Sequence, residues 1–264
     1  MEPDDTWYSN PPNLGHIPFP FLFGQLPVER FHLEIRPENP HVPLFQYMGR
    51  ESFATVLKAV NGFQIMVGTT RLYIQGTIGY GKSHLLAALA GLLCRTGKRQ
   101  VFVPDCSQWL AKPLPYIQSA LLCAYADPSS ASIRAEIRAF GALADVERFC
   151  GERKSGELYF IIDQMNALGQ GDPNQDMANN TLKTSLIHFL NRISVGHFRI
   201  ISASANYNTA RQRNEEVVSL MGGMSRVSDT SPFYNNPIYI SDGNSGRDGP
   251  VVAPSPGHVA YRNE

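Results

Sequence analysis

The chain has 264 residues, of which 43% are hydrophobic and 17% charged, and its 23 basic residues balance its 23 acidic ones. This length suits one full domain with a substantial core. The charge balance argues against a globally basic nucleic-acid-binding protein, although a local basic patch remains compatible with it. The sequence has no apolar run of about 18 residues and no signal-peptide pattern at residues 1–12, so we expect no membrane association and no secretion.

The four cysteines have no CxxC spacing and no neighbouring histidine pair. This pattern predicts neither a zinc site nor a disulfide framework, and it favours an intracellular, reducing compartment, either the cytoplasm or the nucleus.

Residues 1–43 are rich in proline and aromatic side chains, which predicts an extended arm or coil. From Glu51 apolar residues recur at helical spacing until Asn61-Gly62, a pair typical of a helix end. Strands and helices then alternate, which is the pattern of a mostly parallel, three-layer α/β sheet. The predicted strands are 71–75, 100–103, 158–162 and 198–203, and the predicted helices are 82–94, 115–126, 132–150 and 182–193. Asp105 is expected to begin an acidic loop.

One motif in this alternation has a specific chemistry. The run Gly76-Thr77-Ile78-Gly79-Tyr80-Gly81-Lys82-Ser83 matches G-x-x-x-x-G-K-[ST] between a predicted strand and a predicted helix. Glycines let successive backbone amides point inward around phosphate oxygens, and the helix that follows adds its positive N-terminal end. We expect Lys82 to contact the β- and γ-phosphates of ATP and Ser83 to ligate Mg²⁺.

A second metal-side carboxylate is expected at the end of a neighbouring strand. Asp163 directly follows the apolar run 159–162, so we predict that it holds Mg²⁺ through the water shell of the ion. Gln164 follows, where many ATPases have a glutamate that activates water. An amide orients water but takes no proton, so hydrolysis is expected to be slow, assisted by another residue, or dispensable.

The strand at 198–203 is followed by polar residues. Ser204 and Asn206 are candidates for contacting the γ-phosphate or the attacking water, with Asn206 the preferred catalytic candidate beside Lys82 and Gln164; a loop that merely caps the strand is an equal alternative. Arg211 and Arg213 are possible phosphate contacts, although a solvated helix face is the commoner role of such arginines.

From about residue 225 the chain is rich in serine, proline, glycine and asparagine, and only 238–240 is a strand candidate. We expect this tail to be largely disordered. The predicted organisation is therefore an arm at 1–43, a P-loop NTPase domain at 44–224 and a low-complexity tail at 225–264.

Four blocks together resemble the P-loop NTPase module of Crinkler-type proteins, which are related to retrotransposon-hot-spot proteins. These are the P-loop with its helix, then Val103-Pro104-Asp105-Cys106, then 161–168 (IIDQMNAL), then 202–206 (SASAN). The resemblance extends from about Val42 to Gly223. It implies an AAA/STAND-like ATPase fold, phosphate and Mg²⁺ roles for Lys82, Ser83 and Asp163, and delivery into host cells as an effector.

Two departures limit what the resemblance implies. The N-terminal Leu-Phe-Leu-Ala-Lys trafficking block is not visible, and the similarity ends near Gly222-Gly223. We therefore expect the sheet to be incomplete at its C-terminal side, without a fifth strand, a helical lid or a nuclease domain, and we expect DNA contact only if such a nuclease domain were present.

Three functional hypotheses follow from these observations. The chain is a weak or regulated ATPase that binds ATP and Mg²⁺, a nucleotide-gated interaction or effector module with an unknown protein partner, or a truncated copy without catalytic activity.

Overall fold

The structure is a computed structural model that describes residues 5–21, 28–64, 70–76, 81–169, 177–204 and 238–239. Within these ranges it contains two β-sheets, one antiparallel and one parallel. None of the helices in the described part of the chain has the length and apolarity needed to cross a membrane.

The N-terminal residues form a small antiparallel module instead of the expected extended arm. Its three strands are ordered β1-β3-β2, and Leu14 pairs with Met48 while Pro18 pairs with Leu44. In β1, Ile17 is buried between two exposed neighbours, so this sheet buries only one face. The bounds of its elements are α1 Asp5–Ser9, β1 Leu14–Pro18, α2 Val28–Phe31, β2 Glu34–Arg36 and β3 Asn39–Met48.

Strand β3 crosses residue 43, where the sequence predicted the arm to end. The division of the chain into arm, domain and tail stays a prediction. The expected coil is nevertheless wrong for the described residues, because the phenylalanines of this segment form a buried cluster. Phe19, Phe31 and Phe45 lie with ring centroids 4.8–6.0 Å apart.

The parallel sheet confirms the α/β prediction. Its strand order is β5-β6-β7-β4-β8, and each neighbouring pair is parallel. All five residues of β6 are buried, so both faces of the sheet are covered by other elements. The elements are α3 Glu51–Asn61, β4 Thr70–Gly76, α4 Lys82–Arg95, β5 Arg99–Val103, β6 Leu158–Ile162, β7 Phe198–Ser204 and β8 Ile238–Tyr239.

The fifth strand, which the family resemblance led us to expect missing, is present in short form. Ile238 pairs with Ile74 and Tyr239 with Gln75, on the side of β4 opposite β7. The sheet therefore continues beyond the P-loop strand.

The helices between β5 and β6 differ from the prediction in two places. Asp105 opens a helix and not a loop, because its carboxylate accepts hydrogen bonds from the amides of Ser107 and Gln108 at 2.8 and 3.2 Å. The predicted helix 132–150 is two helices, because the chain turns at Gly141, whose amide donates to Asp145 at 2.9 Å. The bounds are α5 Cys106–Ala111, α6 Pro113–Ala124, α7 Ala131–Arg138, α8 Leu143–Gly151 and α9 Met177–Ile193.

Helix α4 lies between the two sheets. It contacts β5 and β7 of the parallel sheet and β1 of the antiparallel sheet. Its leucines are buried, and so are the alanines between them: Leu85, Leu86, Ala87, Ala88, Leu89, Ala90, Leu92 and Leu93. Small residues on its remaining faces let neighbours approach from more than one side, so the helix that begins at the P-loop joins both sheets.

Candidate functional site

Of the residues predicted to form the site, those that the structure describes lie at one edge of the parallel sheet. Since the strands are parallel, the carboxyl ends of β4, β6 and β7 meet at that edge. Gly76 ends β4 and pairs with Ser204, the last residue of β7. Asp163 follows β6, and its amide donates to the Val103 carbonyl at the end of β5 at 2.8 Å.

Asp163 is the buried centre of this edge, with only 1% of its surface exposed. Its Oδ1 accepts hydrogen bonds from the Ser202 hydroxyl at 2.7 Å and from the backbone amide of Gln164 at 2.9 Å. Its Oδ2 accepts no hydrogen bond from the described residues. One carboxylate oxygen is thus fixed by two hydrogen bonds, while the other has no hydrogen-bond donor among the described residues.

Gln164 has a left-handed backbone conformation, with φ 56° and ψ 39°. This conformation turns the chain sharply out of β6 and into the short 3₁₀ helix Met165–Leu168. Non-glycine residues rarely adopt it, and they do so mainly where the surroundings require it. The turn directs the backbone amide of Gln164 back to the Asp163 carboxylate, and the Gln164 side chain is half-buried.

Helix α4 begins at the end of the glycine-rich run. Gly81 precedes it with φ 67° and ψ 20°, a left-handed conformation that glycine adopts without steric cost. Lys82 is 4% exposed, and burial lowers the pKa of its ammonium group while the Asp163 carboxylate acts in the opposite direction. Ser83 follows in the first turn and is half-buried.

Two arginines from outside the motif also approach the start of α4. A Cβ atom on Gly81 would overlap the Arg50 guanidinium, so Arg50 lies directly against that glycine. Arg30, from α2, places its Nη2 atom 3.6 Å from Asp163 Oδ2 and donates a hydrogen bond to the Pro104 carbonyl. The N-terminal module therefore contributes two positive charges to this edge of the parallel sheet.

The pKa values of neighbouring groups reflect this electrostatic environment. Burial, together with the positive charges of Arg50 and Arg30, lowers the pKa of His84 to about 4. Burial, together with the charges of Asp163 and Asp105, raises the pKa of the Cys106 thiol well above its ordinary value. His84 is therefore neutral near pH 7, and Cys106 is a protonated, unreactive thiol.

The residues fit a divalent cation that arrives with a phosphate. In the described ranges, no three histidine, cysteine, aspartate or glutamate residues cluster as a metal site. Asp163 Oδ2 is a buried acceptor without a hydrogen-bond donor, and carboxylate and hydroxyl oxygens are the ligands that Mg²⁺ prefers. Ser83 would ligate the ion and Asp163 would hold it through its water shell, with the remaining ligands supplied by phosphate and water.

The described residues include some, but not all, of the predicted site. They bring Lys82 close to Asp163, with Gln164 beside it. Residues 77–80, Asn206, Arg211 and Arg213 lie outside the described residues, so their predicted roles stay predictions. Motif reasoning missed Arg30, Arg50 and the hydroxyl of Ser202. No local pattern marks the two arginines, whereas Ser202 could have been found from its position on a strand that ends at the same edge as Asp163.

No protein-family model matches the chain, and no curated protein does. Among solved structures, the chain is similar to the ORC2 protein of Aeropyrum pernix, determined as ADPNP–ADP complexes, with 16% sequence identity and a TM-score of 0.33. The similarity covers 66% of this chain and 45% of that protein, so the chain spans less than half of its length. These comparisons do not support the resemblance to Crinkler-type proteins.

Proposed function

We propose that this chain is a P-loop module that binds ATP together with Mg²⁺. The observation that carries the proposal is the start of α4, where a left-handed glycine precedes a buried lysine that lies close to a buried, strand-terminal aspartate. Lys82 has lost most of its contact with water, and a polyphosphate would offset the cost of burying its charge. The N-terminus of the 14-residue helix α4 adds a partial positive charge at the same place.

The arrangement of β7 supports the same proposal. This strand lies between β4 and β6, so Ser202 can fix Asp163 while the end of the strand lies beside Gly76. In AAA-like ATPases, a polar residue after the corresponding strand senses the γ-phosphate. We propose this role for Asn206, and we propose the AAA/STAND-like class and the Crinkler-like relationship on the residue pattern alone.

In this proposal each residue has a separate task. Lys82 would neutralise charge on the β- and γ-phosphates, and Asp163 and Ser83 would hold a Mg²⁺ ion that would supply further positive charge to the phosphoryl group. The backbone amides of the motif are proposed to donate hydrogen bonds to phosphate oxygens. Gln164, which cannot remove a proton, orients the attacking water.

A titration with a fluorescent ATP analogue in the presence of Mg²⁺ tests the proposal. Charged hydrogen bonds contribute about 1.5–3 kcal/mol each, so Lys82→Ala should weaken binding by about tenfold to a hundredfold or more. Lys98→Ala is the matched control, because Lys98 is an exposed lysine three residues beyond the end of the same helix. Circular dichroism should show that both variants keep the wild-type fold. Equal affinity of wild type and Lys82→Ala would refute the P-loop assignment.

A second function, a nucleotide-gated interaction module, is favoured by Gln164. Gln164 follows Asp163 at the sequence position where many ATPases have a water-activating acid, and its side-chain amide cannot take a proton. In that case ATP would order the site for a protein partner, and hydrolysis would be incidental.

Single-turnover hydrolysis by wild type and by Gln164→Glu separates the two functions. If the rest of the site is competent, the introduced carboxylate should raise the rate by about 10²-fold, the lower end of general-base contributions. An unchanged slow rate, with ATP still bound, would favour the interaction module.

A further inference from the structure

The contact between Arg30 and Asp163 involves the most deeply buried carboxylate among the ion pairs of the described chain. One other pair, Arg153 with the exposed Glu136, is also too wide for a hydrogen bond, at 3.9 Å. At the surface, Arg192 and Glu147 approach to 2.7 Å, Arg36 and Glu34 to 3.1 Å, and Arg148 and Asp145 to 3.2 Å. These separations allow hydrogen bonds. Arg30 Nη2 and Asp163 Oδ2 are 3.6 Å apart, although the aspartate side chain is only 2% exposed. The most deeply buried of these carboxylates is therefore paired by charge without a hydrogen bond.

Both partners leave a buried polar atom unsatisfied. Asp163 Oδ2 and Arg30 Nε accept or donate no hydrogen bond within the described residues. Arg30 Nη2 donates instead to the Pro104 carbonyl, and its guanidinium carbon lies 4.7 Å from the Phe31 ring centroid. A permanent buried ion pair is expected to be hydrogen-bonded on both sides, because desolvated charges are costly without such bonds. The guanidinium is thus held mainly by Pro104 and Phe31, and it neutralises Asp163 from a distance.

The oxygen that faces Arg30 is the same oxygen that is open to a metal ion. Asp163 Oδ1 is occupied by Ser202 and Gln164, so any cation must approach Oδ2. A guanidinium and a divalent cation repel each other, and in a buried site this repulsion is poorly screened. Arg30 and a metal ion therefore compete for Oδ2.

We propose that Arg30 is an internal counter-ion of Asp163 in the nucleotide-free chain and that it yields Oδ2 to the divalent cation of a metal–nucleotide complex. The inference rests on the proposed ATP and Mg²⁺ site. Arg30 acts together with Lys82, whose ammonium group also interacts with Asp163, to neutralise the buried carboxylate while the site is free. Of the two, Arg30 is the group that faces Oδ2, so it raises the metal concentration needed to fill the site without nucleotide. When a triphosphate is bound, its negative charge offsets the repulsion between Arg30 and the incoming cation.

The test is a titration of the full chain with Mn²⁺, followed by electron paramagnetic resonance, first without any nucleotide. Mn²⁺ prefers the same oxygen ligands as Mg²⁺. We expect Arg30→Ala to bind Mn²⁺ at least about tenfold more tightly than wild type, within the usual range of coupling between sites. The double variant Arg30→Ala/Asp163→Asn should lose this gain, and Arg30→Lys, which keeps the charge, should resemble wild type.

Arg36→Ala is the matched control, because Arg36 lies in the same N-terminal module but pairs with the exposed Glu34. It should leave Mn²⁺ affinity unchanged. Arg30→Gln removes the charge but keeps much of the side-chain volume, so it should also bind Mn²⁺ more tightly than wild type. It serves as the test if truncation to alanine disturbs the fold. Equal Mn²⁺ affinity in wild type, Arg30→Ala and Arg30→Gln would overturn the proposal.

A second titration, with ATP, distinguishes two roles of Arg30: competition with the metal ion for Asp163 Oδ2, and direct contact with a phosphate of the nucleotide. At saturating Mn²⁺, Arg30→Ala should bind ATP as tightly as wild type, and it should reach half-maximal binding at a lower Mn²⁺ concentration. Weaker ATP binding at saturating metal would show that Arg30 contacts phosphate, and it would overturn the proposal. Failure of wild type to bind ATP would refute the proposed function, whereas the nucleotide-free Mn²⁺ titration would still report on Arg30.

Discussion

The two sheets of this chain are stabilised in different ways. The parallel sheet is assembled from segments far apart in sequence, and β6 within it is buried along its whole length. The antiparallel sheet is assembled from residues 14–48, buries one face, and is held by a cluster of aromatic side chains. The parallel sheet supplies the aspartate and the lysine of the candidate site, whereas the N-terminal module supplies the two arginines that approach them. The site is therefore a property of both sheets together.

The largest expected effect comes from removing an aromatic core residue in each sheet. Phe45 in β3 and Phe160 in β6 are both fully buried. Truncation of either to alanine should lower the free energy of unfolding by about 3–5 kcal/mol. Because α4 is buried against both sheets, we expect each variant to unfold in one cooperative transition, measured by urea denaturation with circular dichroism and tryptophan fluorescence.

Leu182→Ala is the control for these variants, because Leu182 is an exposed leucine of α9 and its truncation should change the free energy of unfolding by less than about 0.5 kcal/mol. If Phe45→Ala unfolded in two separate steps, with Phe160→Ala unfolding in one, the N-terminal module would be an independent unit. The coupling through α4 would then be refuted.

A smaller effect, on the pH dependence of stability, is expected from His197, which lies next to the parallel sheet. This buried histidine precedes β7, its Nε2 lies 3.0 Å from the Cys150 carbonyl oxygen, and burial lowers its pKa. The native state therefore keeps the ring neutral at a pH where the unfolded chain, with a histidine pKa of about 6.5, already binds a proton. The contribution of His197 to the free energy of unfolding is therefore fully present above about pH 6.5, and it is lost as the pH falls from there towards the lower native pKa.

Thermal unfolding between pH 7.5 and 5.5 measures this loss. His197→Gln keeps a donor for the Cys150 carbonyl but does not titrate, so its Tm should fall less than that of wild type over the same interval. Parallel curves for the two proteins would exclude a contribution of His197.

The same contrast between the sheets explains what could be predicted from the sequence. Strand β6 is a continuous apolar run, β7 has the apolar pair Ile200-Ile201 at its centre, and the P-loop motif marks the start of α4. These elements were therefore predictable from the sequence. The antiparallel strands were missed because prolines and polar residues interrupt them, which is compatible with a sheet that buries one face. The presence of Arg30 and Arg50 at the site could not be predicted from the sequence, because only the packing of the N-terminal module on α4 brings them there.

The pairing of β4 has a consequence for the order in which the chain folds during synthesis. Residues 70–76 lie in the sheet only between β7, at 198–204, and β8, at 238–239. The antiparallel sheet can close once residue 48 has left the ribosome, and β5 can pair with β6 after residue 162. The P-loop strand must wait for Phe198 and the residues that follow it, because long-range parallel pairing is slow and closes a large loop. The edge that carries the candidate site is thus among the last parts of the described sheets to form, and a nascent chain carries the motif throughout the synthesis of residues 84–197 without the sheet that supports it.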